Sequence, residues 1–279
     1  MTTTTRAVET PPATAPRRRR RLARGVVPVL CALVAGLGVW YAVTYLLLSE
    51  RRRFLLPPPH EVLKVAVFDG DHLQPKLEAL LLTTKVALTG LGIAVLIGIV
   101  TAILMSQADF LERAIYPYAV IIQTVPVLAI VPLIGLWFQF GFTSRVIVCV
   151  IISLFPMISN TLFGIHSADR DAHDLFTLNR ASRWQRLVLL QLPAAVPSIF
   201  TGLRTSAGLA VIGAVVGDMF FRQGEQGIGG LLETYRSRLQ SEDLIAAIFL
   251  ASFLGIAIFA VFTALDRAVI GRWYGTTRA

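Results

Sequence analysis

The chain has 279 residues, of which 55% are hydrophobic and only 15% are charged. A soluble domain carries about 25% charged residues, so this composition excludes a soluble enzyme or a soluble binding module. The formal net charge is +9, and much of it comes from the arginines at 17–21. These lie beside the first apolar stretch, where anionic lipid headgroups account for them better than nucleic acid does.

Residues 1–23 consist mainly of Thr, Pro, Ala and Arg. They carry too little apolar surface to fold, so we predict a disordered basic tail there and one membrane domain over 24–279. A helix needs about 20 apolar residues to cross a bilayer. Six segments reach this length: 25–48, 86–105, 116–138, 146–165, 194–216 and 244–265. Since their pattern lacks the period of two of a barrel, we predict an all-α polytopic membrane protein with six transmembrane helices.

Basic residues predict the orientation of these spans, because cytoplasmic loops are enriched in Lys and Arg. With both termini in the cytoplasm, the arginine run at 17–21 and the arginines of the segment 169–191 lie inside. The arginines at 51–53 favour the opposite orientation, but acidic residues dilute the basic residues on that side. The same assignment places Lys76 and Arg145 in outer aqueous segments.

A polar, basic stretch at 169–191 separates two strongly apolar spans. Leu175, Leu178, Ser182 and Arg186 lie at helical spacing, so we expect an amphipathic helix there. Such a helix on one aqueous side of a membrane protein indicates a soluble partner that exchanges force or signal with it.

The same stretch offers an alternative, because carboxylates that converge can bind a hard divalent metal ion. His166, His173 and the three aspartates Asp169, Asp171 and Asp174 are the candidate ligands. On this interpretation the chain is a metal-dependent membrane-embedded transferase. A third interpretation, a proton-coupled transporter, is disfavoured because we find no chain of acidic residues within the spans.

Arg204 lies deep enough in the fifth span to need a buried partner or a water-filled path, whereas Lys85 and Asp218 lie near span ends and can reach an interface. Gly213 and Gly217 form a GxxxG pattern, which lets two helices approach closely. Close packing within one subunit, a dimer seam and a pathway lining remain open for this pattern.

Several motifs carry a resemblance to a known family. Asp174 to Pro193 is similar to the cytoplasmic signature loop of ABC-importer permeases, Glu-Ala-Ala-x3-Gly-x9-Ile-x-Leu-Pro. Residues 123–138, 155–156, 160–161, 192–204 and 227–229 resemble the nitrate/sulfonate/taurine branch of these binding-protein-dependent inner membrane components. Residues 211–221 resemble its pyrimidine or riboflavin-type sub-branch.

The resemblance implies a type I ABC-importer permease fold in a prokaryotic cell membrane. It also implies a second permease copy, usually an identical one, two separate ATPase subunits that hold ATP and Mg²⁺, and an external solute-binding protein. No cofactor is expected in this chain itself.

In such families the signature loop, here 166–192, forms a coupling helix that docks on the ATPase. The corresponding coupling residues are Asp174, Leu175, Leu178, Arg180, Ala181, Ser182 and Arg183. Arg180 occupies the position of the family's glycine, which puts the turn geometry in question. The pathway candidates are Arg204, Ser206, Gly208, Gly213 and Asp218.

Overall fold

The structure is a computed structural model that describes residues 17–66 and 68–273. Over these residues the chain forms helices and no strand. The α-helices are α1 (Arg17–Ala42), α2 (Pro59–Ala66), α3 (Gly70–Ser106), α4 (Asp109–Thr124), α5 (Val127–Phe138), α6 (Phe142–His166), α7 (Arg170–Leu178), α8 (Arg183–Arg186), α9 (Leu192–Phe220), α10 (Ile228–Ser237) and α11 (Ser241–Trp273). π-helical turns follow α1 at Val43–Leu47 and precede α9 at Leu187–Gln191.

Within the described residues, five helical segments are long and apolar enough to cross a membrane: Val27–Leu47, Gly70–Ser106, Phe142–His166, Arg183–Phe220 and Ser241–Gly271. The helices α4 and α5 together make a sixth, but their axes are bent by 98°. The predicted third span at 116–138 is therefore not one straight helix. Pro126 explains the break, because a residue before proline avoids the helical region and Val125 is extended there.

The chain divides into two compact units, 1–61 and 62–279, and the division falls within α2. In the first unit, the indole N–H of Trp40 donates to the carbonyl of Pro57 at 3.1 Å. The hydroxyl of Thr44 donates to the carbonyl of Leu56 at 3.2 Å. These bonds fold the 3-10 helix Glu50–Leu55 back towards the end of the first span.

The predicted disordered tail at 1–23 is only partly covered by the described residues. The structure places 17–23 in α1, so that portion of the prediction differs from what is observed, whereas 1–16 lie outside the described residues. Arginine is a good helix former, and the apolar span that follows continues the same helix.

The core of the second unit lies where α3, α6, α9 and α11 meet. It contains Val86, Ala87, Leu91, Val146, Cys149, Ala207, Ala210, Val211, Ala214, Leu254 and Ile258, all buried. Glycines bring the helix backbones together: a Cβ at Gly213 would lie 2.9 Å from the Cα of Cys149, and one at Gly217 would lie 3.1 Å from the Cα of Arg145. The GxxxG pattern thus packs α9 on α6 within one subunit, one of the three alternatives left open by the sequence.

Contacts define the two ends of this unit. At the distal end, residues of 72–83, 139–145 and 218–243 meet through ion pairs and hydrogen bonds. At the loop end, α4 packs on α6 and the connection 167–191 joins α6 to α9. We call this connection the α7 segment.

Candidate functional site

The α7 segment begins with a short amphipathic helix, α7. Asp169 begins it, because its Oδ1 accepts the backbone N–H of Asp171 at 3.0 Å and so caps α7. Large apolar side chains stay open on the segment; among them, Leu175 is 58% exposed, Leu178 is 82% exposed and Trp184 is 69% exposed. Apolar groups on a polar, basic segment are typical of a surface that a partner covers.

The turn after α7 is built around Arg180. This residue has φ +52°, in the left-handed region that favours glycine. Its N–H donates to the carbonyl of Thr177 at 3.0 Å, and the N–H of Ala181 donates to the carbonyl of Phe176 at 3.0 Å. These two bonds form a Schellman motif, whose left-handed position usually holds glycine. The sharp turn is therefore present although arginine replaces the glycine.

A second short helix starts directly after this turn. Ser182 Oγ accepts the N–H of Gln185 at 3.2 Å, and Gln185 Oε1 accepts the N–H of Ser182 at 2.8 Å, which together form a capping box. Arg186 Nη2 donates to the Thr177 hydroxyl at 3.0 Å and ties α8 back to α7. The single helical stripe predicted across 175–186 is therefore wrong, because the turn at 179–181 interrupts it.

The seven residues predicted for coupling all lie on this helix–turn–helix. Ala181 is half-buried and the other six are exposed: Asp174, Leu175, Leu178, Arg180, Ser182 and Arg183. They form one continuous open part of the α7 segment, with apolar, acidic and basic groups side by side.

The candidate metal ligands do not converge. Asp169 is used as a helix cap, and the Nε2 atom of His166 lies 3.6 Å from a carboxylate oxygen of Glu112. Over residues 17–66 and 68–273, no group of three or more His, Cys, Asp or Glu side chains could hold a metal ion. The transferase alternative therefore has no geometric support in this part of the chain.

Of the five pathway candidates, Arg204 and Gly208 lie on a partly open face of α9, whereas Ser206, Gly213 and Asp218 are buried against neighbouring helices. Ser206 Oγ donates to a carbonyl of α6 at 2.8 Å. Arg204 has the partner that its depth requires, because its Nη1 lies 3.6 Å from an oxygen of Asp266.

The distal end holds an ion pair that sequence reasoning missed. Arg145 is 2% exposed and its Nη1 lies 3.2 Å from Oδ1 of Asp218. Its other N–H groups donate to the carbonyl of Phe221 at 3.1 and 2.6 Å and to that of Glu225 at 3.0 Å. Asp218 also accepts the Thr83 hydroxyl at 2.6 Å. The prediction that Arg145 lies in an aqueous segment is wrong, as is the prediction that Asp218 reaches an interface.

Glycines of the cluster at 224–230 pack directly against Asp218 of this ion pair. A Cβ at Gly227 would overlap the carboxylate of Asp218, and one at Gly229 would overlap the carbonyl of Val215. The N–H of Ile228 donates to Thr83 Oγ1 at 2.8 Å. An acidic residue at a span end followed by closely spaced glycines was the available signal, since glycine lets backbone lie against a buried carboxylate.

The prediction that Lys76 lies in an outer aqueous segment is also wrong, because this residue is a second buried cation. Lys76 is fully buried, and its Nζ lies 2.5 Å from Oδ1 of Asp243 and 2.6 Å from the carbonyl of His72. His72 Nδ1 lies 3.0 Å from the other oxygen of Asp243. The Lys76 ammonium also lies 5.5 Å from the ring centroid of Tyr235. These contacts join α3, α10 and α11.

The surface of α10 carries a further pair. Arg236 donates to both oxygens of Glu233, at 2.8 and 2.6 Å. The hydrogen bond and charge of Arg236 hold the pKa of Glu233 below its ordinary value.

Comparison with known proteins identifies the family to which this chain belongs. The family described as "Binding-protein-dependent transport system inner membrane component" matches residues 94–272. The chain belongs to this family. It is therefore a multi-pass cell-membrane permease subunit of an ABC importer, which works with an ATPase and a binding protein. Permeases of this kind are transport proteins and not enzymes, so the family overturns the metal-dependent transferase alternative.

Individual relatives agree with the predicted branch. The formylaminopyrimidine transport permease protein ThiX of Halalkalibacterium halodurans is 33% identical over 78% of this chain and 85% of its own length. The riboflavin transport system permease protein RibX of Chloroflexus aurantiacus is 34% identical over 59% of this chain and 60% of its own length. The taurine transport system permease protein TauC of Escherichia coli is 27% identical over 91% of this chain and 92% of its own length.

The fold has a solved counterpart. A chain from the crystal structure of an amino acid ABC transporter with histidines matches with a TM-score of 0.59 and 18% identity. The match covers 71% of this chain and 95% of that chain. At this identity it shows the fold alone, and that fold is the predicted one of an ABC-importer permease.

Proposed function

We propose that the α7 segment is the coupling element of this permease and that it docks on separate ATPase subunits at the cytoplasmic side. The observation that carries the proposal is the open apolar and charged surface of the segment. Leu178, the last residue of α7, is 82% exposed there. A docked ATPase would cover such a surface, and the Schellman turn at Arg180 would hold its shape.

This assignment fixes the orientation. Arg170, Arg180, Arg183 and Arg186 all lie on the α7 segment, and basic loops favour the cytoplasm. The loop end is then cytoplasmic, both termini are inside and the distal end faces outward to the binding protein. The arginines at 17–21 then lie on the cytoplasmic side, where basic residues are favoured.

In the complete importer, two copies of this chain would pair, and two ATPase subunits would bring their coupling elements together on ATP binding. The membrane cavity then opens outward and receives the solute, and hydrolysis returns it to the inward-open state. ATP and Mg²⁺ stay on the ATPase subunits, and this chain supplies the passage.

The test is ATP-driven uptake in proteoliposomes that contain this chain, its ATPase and its binding protein. Asp174→Lys and deletion of residues 181–183 should leave a folded permease whose ATP hydrolysis is uncoupled from uptake. Asp171→Ala is the matched control, because it lies on α7 but outside the predicted docking residues, and it should transport normally. Full ATP-driven uptake in both test variants would refute the coupling role.

We further propose that the solute is a small, flat nitrogen heterocycle. The relatives at 33% and 34% identity are named for formylaminopyrimidine and riboflavin, and both of these compounds contain such a ring. Co-purification from native membranes should recover an ATPase and a lipid-anchored binding protein, whose ligand can be screened directly. A binding protein that takes nitrate or a sulfonate and ignores heterocycles would overturn the solute class.

A further inference from the structure

A groove runs along the contact of α9 with α11. Its volume is about 530 Å³, within the range of sites for small ligands. Its walls are apolar and include Val211, Ile212, Ile256 and Phe259. Gly208 leaves its floor open, because a Cβ built there meets no atom within 4 Å.

A charged pair lies at the loop-end side of this groove. The Arg204 guanidinium lies 5.8 Å from the ring centroid of Phe259, a groove residue, and 3.6 Å from Asp266. The two charged side chains are 29% and 20% exposed, unlike the fully enclosed pair of Arg145 and Asp218. The 3.6 Å contact between them is longer than a hydrogen bond, so both charged groups can form further hydrogen bonds.

The loop-end part of this face is more polar than the corresponding part of α3. On α3 the open residues towards the loop end are apolar, as in Leu96, Ile97 and Leu104. The open face of α9 instead carries Thr201 and Thr205 beside the charged pair. Charged groups within membrane spans face a bundle interior or a water-filled cavity, because hydrocarbon solvates them poorly.

We propose that Arg204, Asp266 and Phe259 form a binding subsite for the transported solute at the cytoplasmic end of this groove. The inference rests on the proposed function and deepens it. A guanidinium donates to a carbonyl or ring nitrogen, and a neighbouring carboxylate accepts from an N–H. The pair therefore complements a neutral ring edge that bears both groups, and the Phe259 face stacks on the ring.

The same arrangement selects against simple anions. A nitrate or sulfonate attracted by Arg204 would approach the Asp266 carboxylate as well, and like charges in a site of low dielectric repel strongly. The subsite therefore favours neutral heterocycles over anions, independently of the selection made by the binding protein.

The first test fills the groove. Gly208→Phe adds a ring at a position where a Cβ meets no atom within 4 Å, and glycine is the weaker helix former, so the variant should fold. Gly92→Phe on α3 is the matched control, because a Cβ there also meets no atom within 4 Å. In the reconstituted importer, Gly208→Phe should lose uptake and Gly92→Phe should keep it. Equal uptake by the two variants would overturn the subsite.

The second test measures occupancy without transport. In a Cys31→Ser background, Thr205→Cys reports on the exposed position next to Arg204, and Leu96→Cys on α3 is the control. The remaining native thiol, Cys149, is buried. Riboflavin and an aminopyrimidine are the probes, with nitrate and ethanesulfonate as anions. At least one heterocycle should slow maleimide labelling at 205 and not at 96, and Asp266→Asn should abolish the protection.

The outcomes separate the two proposals. If the unmodified importer takes up neither heterocycle, the proposed solute class is refuted. The labelling experiment then tests the subsite by itself. Three results would each overturn the subsite. The first is normal uptake without protection at 205, and the second is protection by the anions. The third is a cysteine at 205 that lipid or a second copy shields in the absence of solute.

Discussion

Replacing Arg180 by glycine should stabilise the turn that ends α7. An L-residue in the left-handed region is less stable by about 1–2 kcal/mol, and a glycine loses about 0.5–1 kcal/mol more conformational entropy on ordering. The net gain in Arg180→Gly is therefore about 0.5–1 kcal/mol, which lowers the equilibrium constant for opening of the turn about two- to fivefold.

Hydrogen exchange read by mass spectrometry can measure this effect on peptides that cover 170–182. The reporting amides are those of residue 180 and Ala181, which donate to Thr177 and Phe176. They should exchange about two- to fivefold more slowly in Arg180→Gly than in the unmodified chain.

Two neighbouring variants separate backbone strain from other causes. Arg180→Ala removes the charge but keeps the Cβ, so exchange should not slow. Asn179 has a negative φ of −80° and its side chain donates to the carbonyl of Leu175 at 2.8 Å. Asn179→Gly should therefore speed exchange. If Arg180→Gly exchanges no more slowly than Arg180→Ala, the strain argument fails.

Three further perturbations test the distal end and the helix packing. Arg145→Met leaves the Asp218 carboxylate buried without its cation, which should destabilise the fold by about 3–5 kcal/mol; an unchanged melting temperature in detergent would contradict this. Gly213→Leu forces α9 away from α6 and should cost about 1–3 kcal/mol by overpacking, seen as a lower melting temperature, whereas an unaltered one would show that the interface yields. Arg236 lowers the pKa of Glu233. The Glu233 carboxylate should therefore stay ionised and in contact with Arg236 at and somewhat below the ordinary glutamate pKa. The contact should be lost only when the pH falls through the lowered pKa. Arg236→Ala should move the Glu233 midpoint upward in a carboxylate titration by NMR, and no movement would refute the cause assigned to that shift.

Much of the fold could be predicted from hydropathy, because a membrane span is a local property of about 20 residues. The segments 86–105, 146–165, 194–216 and 244–265 all lie inside observed helices. The observed helices are longer than these segments because polar turns extend them. Lys76, for example, is accommodated in α3 by Asp243, which is 167 positions away and invisible to a local pattern.

The missed features have the same cause. Arg145 looks like an aqueous residue in the sequence, and only the fold brings Asp218 and the carbonyls of 221–225 to it. The family motif predicts a coupling element at the α7 segment, but the motif has glycine at the position of Arg180, which suggested that the arginine could disturb the turn. The backbone hydrogen bonds decide otherwise, and they depend on φ and ψ rather than on residue type.

Glycine packing gives the central helices a mechanical property. At Gly90, Gly213 and Gly217 the backbones of α3 and α9 lie directly against α6, with no layer of long side chains between them. Such contacts leave few rotamers to absorb a displacement, and close-packed interiors transmit strain, so we expect the three helices to move together as one rigid block. The α7 segment is attached to this block at both ends, through α6 and α9. A displacement of the α7 segment is therefore expected to reach the Arg145–Asp218 pair at the other end of these helices.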